Sequence, residues 1–157
     1  MPLLLRPIFD LVLSAMAATA PLADAPAAPL VEPAIAAPAA DPAAVECIAK
    51  VIMHEAAYEP WAGRVAVAQV IRHRVADGRF GADPCGVARQ RGQFFDVDAF
   101  QPARTSAAWG QAVQIATAAL TVANDEQAPG ALFFHAAASP MRGRVAVARI
   151  GGHVFYR

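Results

Sequence analysis

The sequence predicts an α+β fold in which helices come first and a small antiparallel sheet closes the chain. Three observations carry that prediction. Apolar residues recur at helical spacing between 41 and 124. After Pro129-Gly130 the pattern changes to short β-branched and aromatic runs. Ahead of both stands an Ala/Pro-rich tract that reads as unpacked chain, which leaves about 110 of the 157 residues for one folded unit.

Residues 1–20 have the pattern of a secretory signal. Arg6 supplies a positive start, residues 8–20 are mostly apolar, and Ala15-Met16-Ala17 or Ala18-Thr19-Ala20 suits small-x-small cleavage. Asp10 interrupts the apolar run, and Pro21 disfavours cleavage directly before it. The run is too short and too broken for a membrane span, so the expectation is export with no stable span after processing. A cytoplasmic tail is the alternative. Residues 21–44 repeat proline and alanine and read as an extended tether to a domain at 45–157.

Asp41-Pro42 is a helix opening, with Asp as N-cap and Pro at the first helical position. Val45, Ile48, Ala49, Ile52 and Met53 form one apolar stripe, and Pro60 stops the helix. A second helix is expected over 61–76, with Val67, Val70, Ile71 and Val75 buried and Asp77-Gly78 closing it. Arg74 falls on that same buried face. Residues 79–104 read as a long irregular loop with a short helix near 86–90, and loops of that length are usually functional. A third helix fits 105–124, capped by Thr105 or Ser106, with Ala112, Ile115, Ala116 and Ala119 inward. Strands are expected at 131–136, 145–150 and 153–156, the last two joined by Gly151-Gly152. Gly-Arg-Val-Ala-Val-Ala occurs at both 63–68 and 143–148, read as helix in the first copy and strand in the second.

The formal charge is zero but unevenly spread. From Cys47 onward there are 12 bases, 11 of them arginine, and 8 acids. That sign suits an anionic polymer. The excess is too small for nucleic acid, and no basic run or aromatic-basic motif supports such a partner. For an exported chain, Cys47 and Cys85 read first as a disulfide closing a loop of 39 residues, with two buried thiols as the alternative.

His54-Glu55 carries the chemical argument. Glu55 borders the apolar stripe of the first helix, where a carboxylate is costly unless paired or used. A carboxylic acid kept protonated in such surroundings is a proton donor near neutral pH. The His-Glu pair invites a zinc reading, but a zinc-protease helix needs a second His where Tyr58 stands. His54, His73, His135 and His153 include no pair at helical ligand spacing, so neither a metal nor an organic cofactor is expected. Ser106 and Ser139 lack a nucleophile motif. Acid chemistry on a glycosidic bond remains. Glu55 is the candidate acid, and the alternative is a structural carboxylate paired to Arg74 or Arg64. Glu59 is the second candidate.

Residues 46–80, ECIAKVIMHEAAYEPWAGRVAVAQVIRHRVADGRF, resemble the catalytic domain of bacterial cell wall hydrolases of the spore cortex-lytic enzyme type. The matching features are Glu55-Ala56, Glu59, Gly63-Arg64-Val65-Ala66-Val67-Ala68 and Arg74-Val75. Cys85-Gly86-Val87, Gln93-Phe94, Leu132-Phe133-Phe134-His135 and the run from Arg149 to Tyr156 continue the match in order. The resemblance spans about residues 46–157. It implies a lysozyme-like α+β domain that cuts peptidoglycan glycan strands, with Glu55 as general acid and base. It also implies a disulfide between the Cys47 and Cys85 positions in exported members. This chain departs from the family at Ala57, where Arg is usual, at His73, where Asn is frequent, and at His54, where Gly or an aromatic residue is common. A neutral His54 could hydrogen-bond Glu55.

Chemistry and resemblance together suggest supporting roles. Gln93 could bond a sugar hydroxyl or acetamido group and Phe94 could stack on a sugar ring; loop packing is the alternative for both. Tyr58 is assigned to the cleft or to the core. His135 faces the cleft or serves structure. Arg74 is expected to hold Glu55 or Glu59 in place, and Phe133, Phe134, Phe155 and Tyr156 to be core. The expected reaction is cleavage between N-acetylmuramic acid and N-acetylglucosamine by a lytic transglycosylase, because hydrolysis normally needs a second carboxylate. Asp96 or Asp98 across the cleft from Glu55 would restore hydrolysis. A zinc-dependent peptidoglycan amidase and a non-catalytic wall-binding module are the rival readings.

Overall fold

Four helices precede a three-stranded antiparallel sheet, in the order the sequence predicts. The computed structural model describes residues 39–121 and 125–157. The expected signal segment and the expected tether up to residue 38 lie outside the described residues. Helix α1 is Pro42–Glu55, and the Asp41 carboxylate caps it by accepting from the Ala43 N–H at 3.1 Å. Helix α2, Trp61–Asp77, ends at Gly78, whose φ of 78° lets its N–H reach back to the Arg74 and Val75 carbonyls. Helix α3, Pro84–Ala88, starts two residues earlier than expected because Asp83 accepts from the Gly86 N–H at 2.8 Å and Pro84 takes the first position. Helix α4, Ala107–Thr121, is capped by the Ser106 hydroxyl, which accepts from the Trp109 N–H. The last three residues of the expected third helix lie outside the described residues.

The stripes predicted for α1, α2 and α4 meet in one core. Ile48, Val51, Ile52, Val67, Val70 and Ile71 are fully buried, with Ile115, Ala116 and Phe155 beside them. Each fully buried Ile or Val contributes on the order of 1.5–3 kcal/mol. Strands β1 (Phe133–Ala136), β2 (Ala146–Ile150) and β3 (His153–Tyr156) form a sheet of order β1-β3-β2, with β3 central and antiparallel to both neighbours. The repeated hexapeptide is helical throughout its first copy. In its second copy it is a turn passing into β2.

The long loop is pinned to α1 at two points, and those points decide where its aromatic residues stand. Cys47 and Cys85 form a disulfide between α1 and α3. Lys50, buried on α1, donates to the Val97 carbonyl at 3.1 Å and lies 3.5 Å from Glu46. Among the described residues no helix is long and apolar enough to cross a membrane.

The disulfide closes a 38-residue separation, which in the chain-entropy picture is worth about 4 kcal/mol. A Cys47→Ser/Cys85→Ser chain is expected to lose about that much in urea unfolding. Dithiothreitol should take the wild type to the same midpoint. Unchanged unfolding in the double variant would mean that the loop is held by Lys50 and its packing alone.

Candidate active site

Glu55 is the last residue of α1, so its side chain leaves the helix where the core stripe ends. It is about one quarter exposed, and its Oε1 lies 3.0 Å from Nδ1 of His54. The His54 ring is stacked on Phe95 at 3.7 Å and meets Phe100 edge-on. The loop pinned by Cys85 and Lys50 thus supplies the aromatic support for the residue next to Glu55.

Glu55 opens onto a cleft of about 550 Å³, within the usual size range of ligand sites. Gly92, Gln93 and Phe94 line it from the loop, Phe133, Phe134, His135 and Ala136 from β1, and Met141, Arg144 and His153 from the rest of the sheet region. The expected substrate contacts Gln93, Phe94 and His135 therefore meet at one cleft with Glu55. Gln93 and His135 are exposed, while Phe94 is half-buried. Phe133 and Phe134 were expected in the core; both are half-buried and form cleft wall. Met141, Arg144 and His153 had no local sequence signal for the site. They arrive there through strand pairing.

Tyr58 does not join the cleft. It stands in the turn between α1 and α2, fully exposed, and it is not in the core either. Helix α1 stops three residues before it, so its side chain follows neither the stripe nor the Glu55 face.

Arg74 lines the cleft but holds neither Glu55 nor Glu59. It is 4% exposed, and its Nε–H donates to the Leu132 carbonyl at 2.7 Å. Its guanidinium lies 5.0 Å from the Phe80 ring, 5.1 Å from Phe94 and 5.6 Å from Phe133. Burial pushes its pKa down to about 10, and the nearby charge of Arg144 adds to that shift. Arg64, the other expected partner of Glu55, donates instead to the Glu59 carbonyl and to Gln111.

Glu59 is committed elsewhere. Its Oε2 accepts from the Gly152 N–H at 2.9 Å, which ties the β2–β3 turn to the start of α2. Gly151 in that turn has a φ of 56°, and a Cβ there would collide with the Glu59 carboxylate and with Pro60. Asp96 accepts from the Asp98 and Ala99 N–H groups. Asp98 forms a forked pair with Arg89, whose guanidinium holds it below the usual carboxylate range. Neither aspartate lines the Glu55 cleft; both border a separate hollow with Arg89. A larger hollow of about 680 Å³ between α1 and α4 has one lining carboxylate, Glu46, and Arg104 hydrogen-bonds it at 2.6 Å and lowers its pKa. In this cleft an open carboxylate stands beside several aromatic rings and polar side chains; Asp125, beside Trp61 and Gln127, borders a smaller hollow of about 230 Å³. Among the described residues, no three His, Cys, Asp or Glu side chains converge as metal ligands.

Residues 58–156 match the Cell Wall Hydrolase family. The chain belongs to that family. As a cell wall hydrolase it is a peptidoglycan-cleaving enzyme of the cell envelope. The matched span begins three residues after Glu55. The catalytic domain of the Bacillus cereus SleB protein is 24% identical over 73% of this chain and 89% of its own, with a TM-score of 0.58. The catalytic domain of a germination-specific lytic transglycosylase, SleB from Bacillus anthracis, is 24% identical over 75% of this chain and 97% of its own, with a TM-score of 0.61. These two establish the fold of the hydrolase, the lysozyme-like α+β arrangement that the resemblance implied. No curated protein sequence matches the chain.

The two carboxylates flanking the first turn of this hydrolase make opposite predictions. Glu59→Gln keeps an oxygen to accept from Gly152, so unfolding and wall digestion should both stay near wild type. Glu59→Ala should cost about 1 kcal/mol of stability, and Gly151→Ala about 1–3 kcal/mol, read by urea unfolding. Abolished digestion by a well-folded Glu59→Gln would move the acid from Glu55 to Glu59.

Proposed function

We propose that this cell wall hydrolase is exported and cuts glycan strands between N-acetylmuramic acid and N-acetylglucosamine as a lytic transglycosylase, with Glu55 as its single acid and base. One observation carries the choice of mechanism: of the residues lining the cleft, Glu55 alone is a carboxylate. Hydrolysis of a glycosidic bond normally uses two carboxyl groups on opposite sides of the scissile bond. Asp96 and Asp98 are engaged by backbone N–H groups and by Arg89 in a neighbouring hollow that shares Gly92 and Phe94 with the cleft, and neither lines the cleft itself.

In this mechanism the Glu55 carboxyl gives its proton to the glycosidic oxygen as the bond from C1 to that oxygen breaks. The resulting carboxylate then takes the proton of the muramyl C6 hydroxyl, whose oxygen bonds to C1. The product is a 1,6-anhydro ring, and no water is consumed. His54, 3.0 Å from Glu55, orients the carboxyl through a hydrogen bond. Gln93 bonds a hydroxyl or acetamido group, while Phe94 and His135 border the sugar. Residues 1–20 act as the export signal and the Ala/Pro-rich stretch from 21 as the tether; the catalytic domain opens at Asp41, which caps α1, rather than at the expected residue 45. The enzyme would then work in the periplasm or elsewhere in the envelope.

Digestion of purified peptidoglycan by the wild type and by Glu55→Gln, with products weighed by mass spectrometry, tests this reading. Anhydromuropeptides from the wild type, and a rate at least about 100-fold lower for Glu55→Gln, are expected. Reducing-end products would mean hydrolysis with a carboxylate brought in by the substrate complex. Free stem peptides lost on chelation would mean an amidase. Binding without any cleavage would mean a wall-binding module. Equal activity of the two proteins would remove Glu55 from the mechanism.

A further inference from the structure

The cleft wall opposite in charge to Glu55 is built around one aromatic ring. Arg144 places its guanidinium 3.4 Å from the centre of the Phe133 ring, and Arg74 lies 5.6 Å from the same ring. Both arginines line the cleft. Arg144 is exposed, whereas Arg74 is buried. Two like charges gathered on one ring repel each other, and Arg144 accordingly weakens proton binding by Arg74. An anion at this wall would relieve that repulsion.

Neither arginine meets a carboxylate among the described residues. Arg72 pairs with Glu126, Arg79 with Asp77, Arg89 with Asp98 and Arg104 with Glu46. Other exposed arginines also stand without a carboxylate, and what sets Arg144 and Arg74 apart is that both stand against one ring in the cleft wall. Arg74 spends its Nε–H on Leu132, and its Nη1 is buried with no hydrogen-bond partner. Arg144 uses only the face of its guanidinium, against Phe133. The five N–H donors lie in the guanidinium plane, so stacking holds that plane still and leaves its edge free for a forked carboxylate contact. With Phe133 fixing its orientation, Arg144 loses little freedom on binding.

We propose that Arg144, stacked on Phe133 and reinforced by the buried charge of Arg74, is a carboxylate subsite of the cleft that takes a carboxylate carried on the lactyl side of the muramyl sugar. Arg144 makes the contact. Arg74, 5.6 Å from the same ring, contributes a fixed positive potential in surroundings that screen it little. The carboxylate has two sources on such a strand: the lactyl group itself where the stem peptide has been removed, or the stem's own carboxylates where it is present. The subsite rests on the glycan-cleaving reading above. It gives that reading a polarity, because only the muramyl sugar carries the lactyl arm, and so only one of two alternating sugars can stand at Arg144.

Equilibrium binding tests it without turnover, using the full chain carrying Glu55→Gln and the same chain carrying also Arg144→Gln. Three soluble strands are compared: peptide-free glycan with free lactyl carboxylates, the same glycan methyl-esterified, and glycan with stem peptides. Loss of one charge-assisted contact is expected to weaken the matching strand about tenfold. Loss confined to the peptide-free acid identifies the lactyl carboxylate. Loss on the stem-bearing strand identifies the stem. The esterified strand should bind both proteins equally, and Arg144→Lys should recover part of the affinity. Equal binding of all three strands by both proteins, an equal loss on the ester, or no binding of any strand would overturn the subsite. Failure of the glycan-cleaving reading registers separately, as absent cleavage by the wild type or undiminished cleavage by Glu55→Gln.

Discussion

Arg74 is a cation buried among aromatic rings with no carboxylate beside it among the described residues, and the fold has to accommodate it. Removing such a charge from water costs several kcal/mol before compensation. The sign of the pKa shift agrees: the folded value, about 10, lies well below that of a free arginine. Between those values the unfolded chain binds more protons, so the charge opposes folding at neutral pH and the penalty lifts as pH rises through about 10. What offsets it is the bond to Leu132 and the faces of Phe80, Phe94 and Phe133. Those compensating groups come from the helix-to-loop junction, the loop and β1. Satisfying one charge therefore brings together the loop wall and the β1 wall of the cleft, at Phe94 and Phe133.

His73 and Glu59 extend the same logic. His73 Nδ1 lies 3.0 Å from the Ala131 carbonyl, so consecutive α2 residues take consecutive carbonyls ahead of β1. At the other end of α2, Glu59 takes the Gly152 N–H. The sheet is thus tied to the helices by polar bonds at both ends of one helix. This explains why two carboxylates four residues apart have different fates. Glu59 is consumed in positioning the turn. Glu55, ending α1 one turn earlier, has His54 as its one hydrogen-bond partner among the described residues and opens onto the cleft.

Several helix limits were legible because they are written locally. Asp41-Pro42 and Gly78 act through bonds within four residues, and the stripes of α1, α2 and α4 followed from spacing alone. Asp83-Pro84 is an opening of the same kind that was passed over, and α1 stops at Glu55, short of the expected stop at Pro60. The pattern also put Arg74 on a buried face. It could not name the partner, because side-chain periodicity carries no information about which backbone carbonyl arrives from 58 residues away. A carboxylate was the expected partner, and a carbonyl with three rings took its place. Tyr58 failed for a related reason. It was expected in the cleft or the core on a helix running to Pro60, but α1 stops at Glu55 and leaves Tyr58 exposed in the turn that follows. The cleft was half legible: Glu55, Gln93, Phe94 and His135 carried motif or chemistry, whereas Met141, Arg144 and His153 converge only after the strands pair.

The duplicated hexapeptide shows what that convergence depends on. In its first copy Gly63 sits close against Glu59, and Arg64 reaches back to the Glu59 carbonyl and across to Gln111. In its second copy Gly143 takes a φ of 76°, and Arg144 turns onto Phe133. The six residues are the same, so their propensities are the same. The difference lies in what precedes them: Pro60 and Trp61 begin a helix, while the residues before Gly143 form a turn that feeds an edge strand. One arginine becomes a brace between helices and the other a cleft-lining cation. The charge at the cleft is a consequence of the sheet order β1-β3-β2, which holds the Arg144 turn on the far side of β3 from β1 and still lets a long side chain reach Phe133.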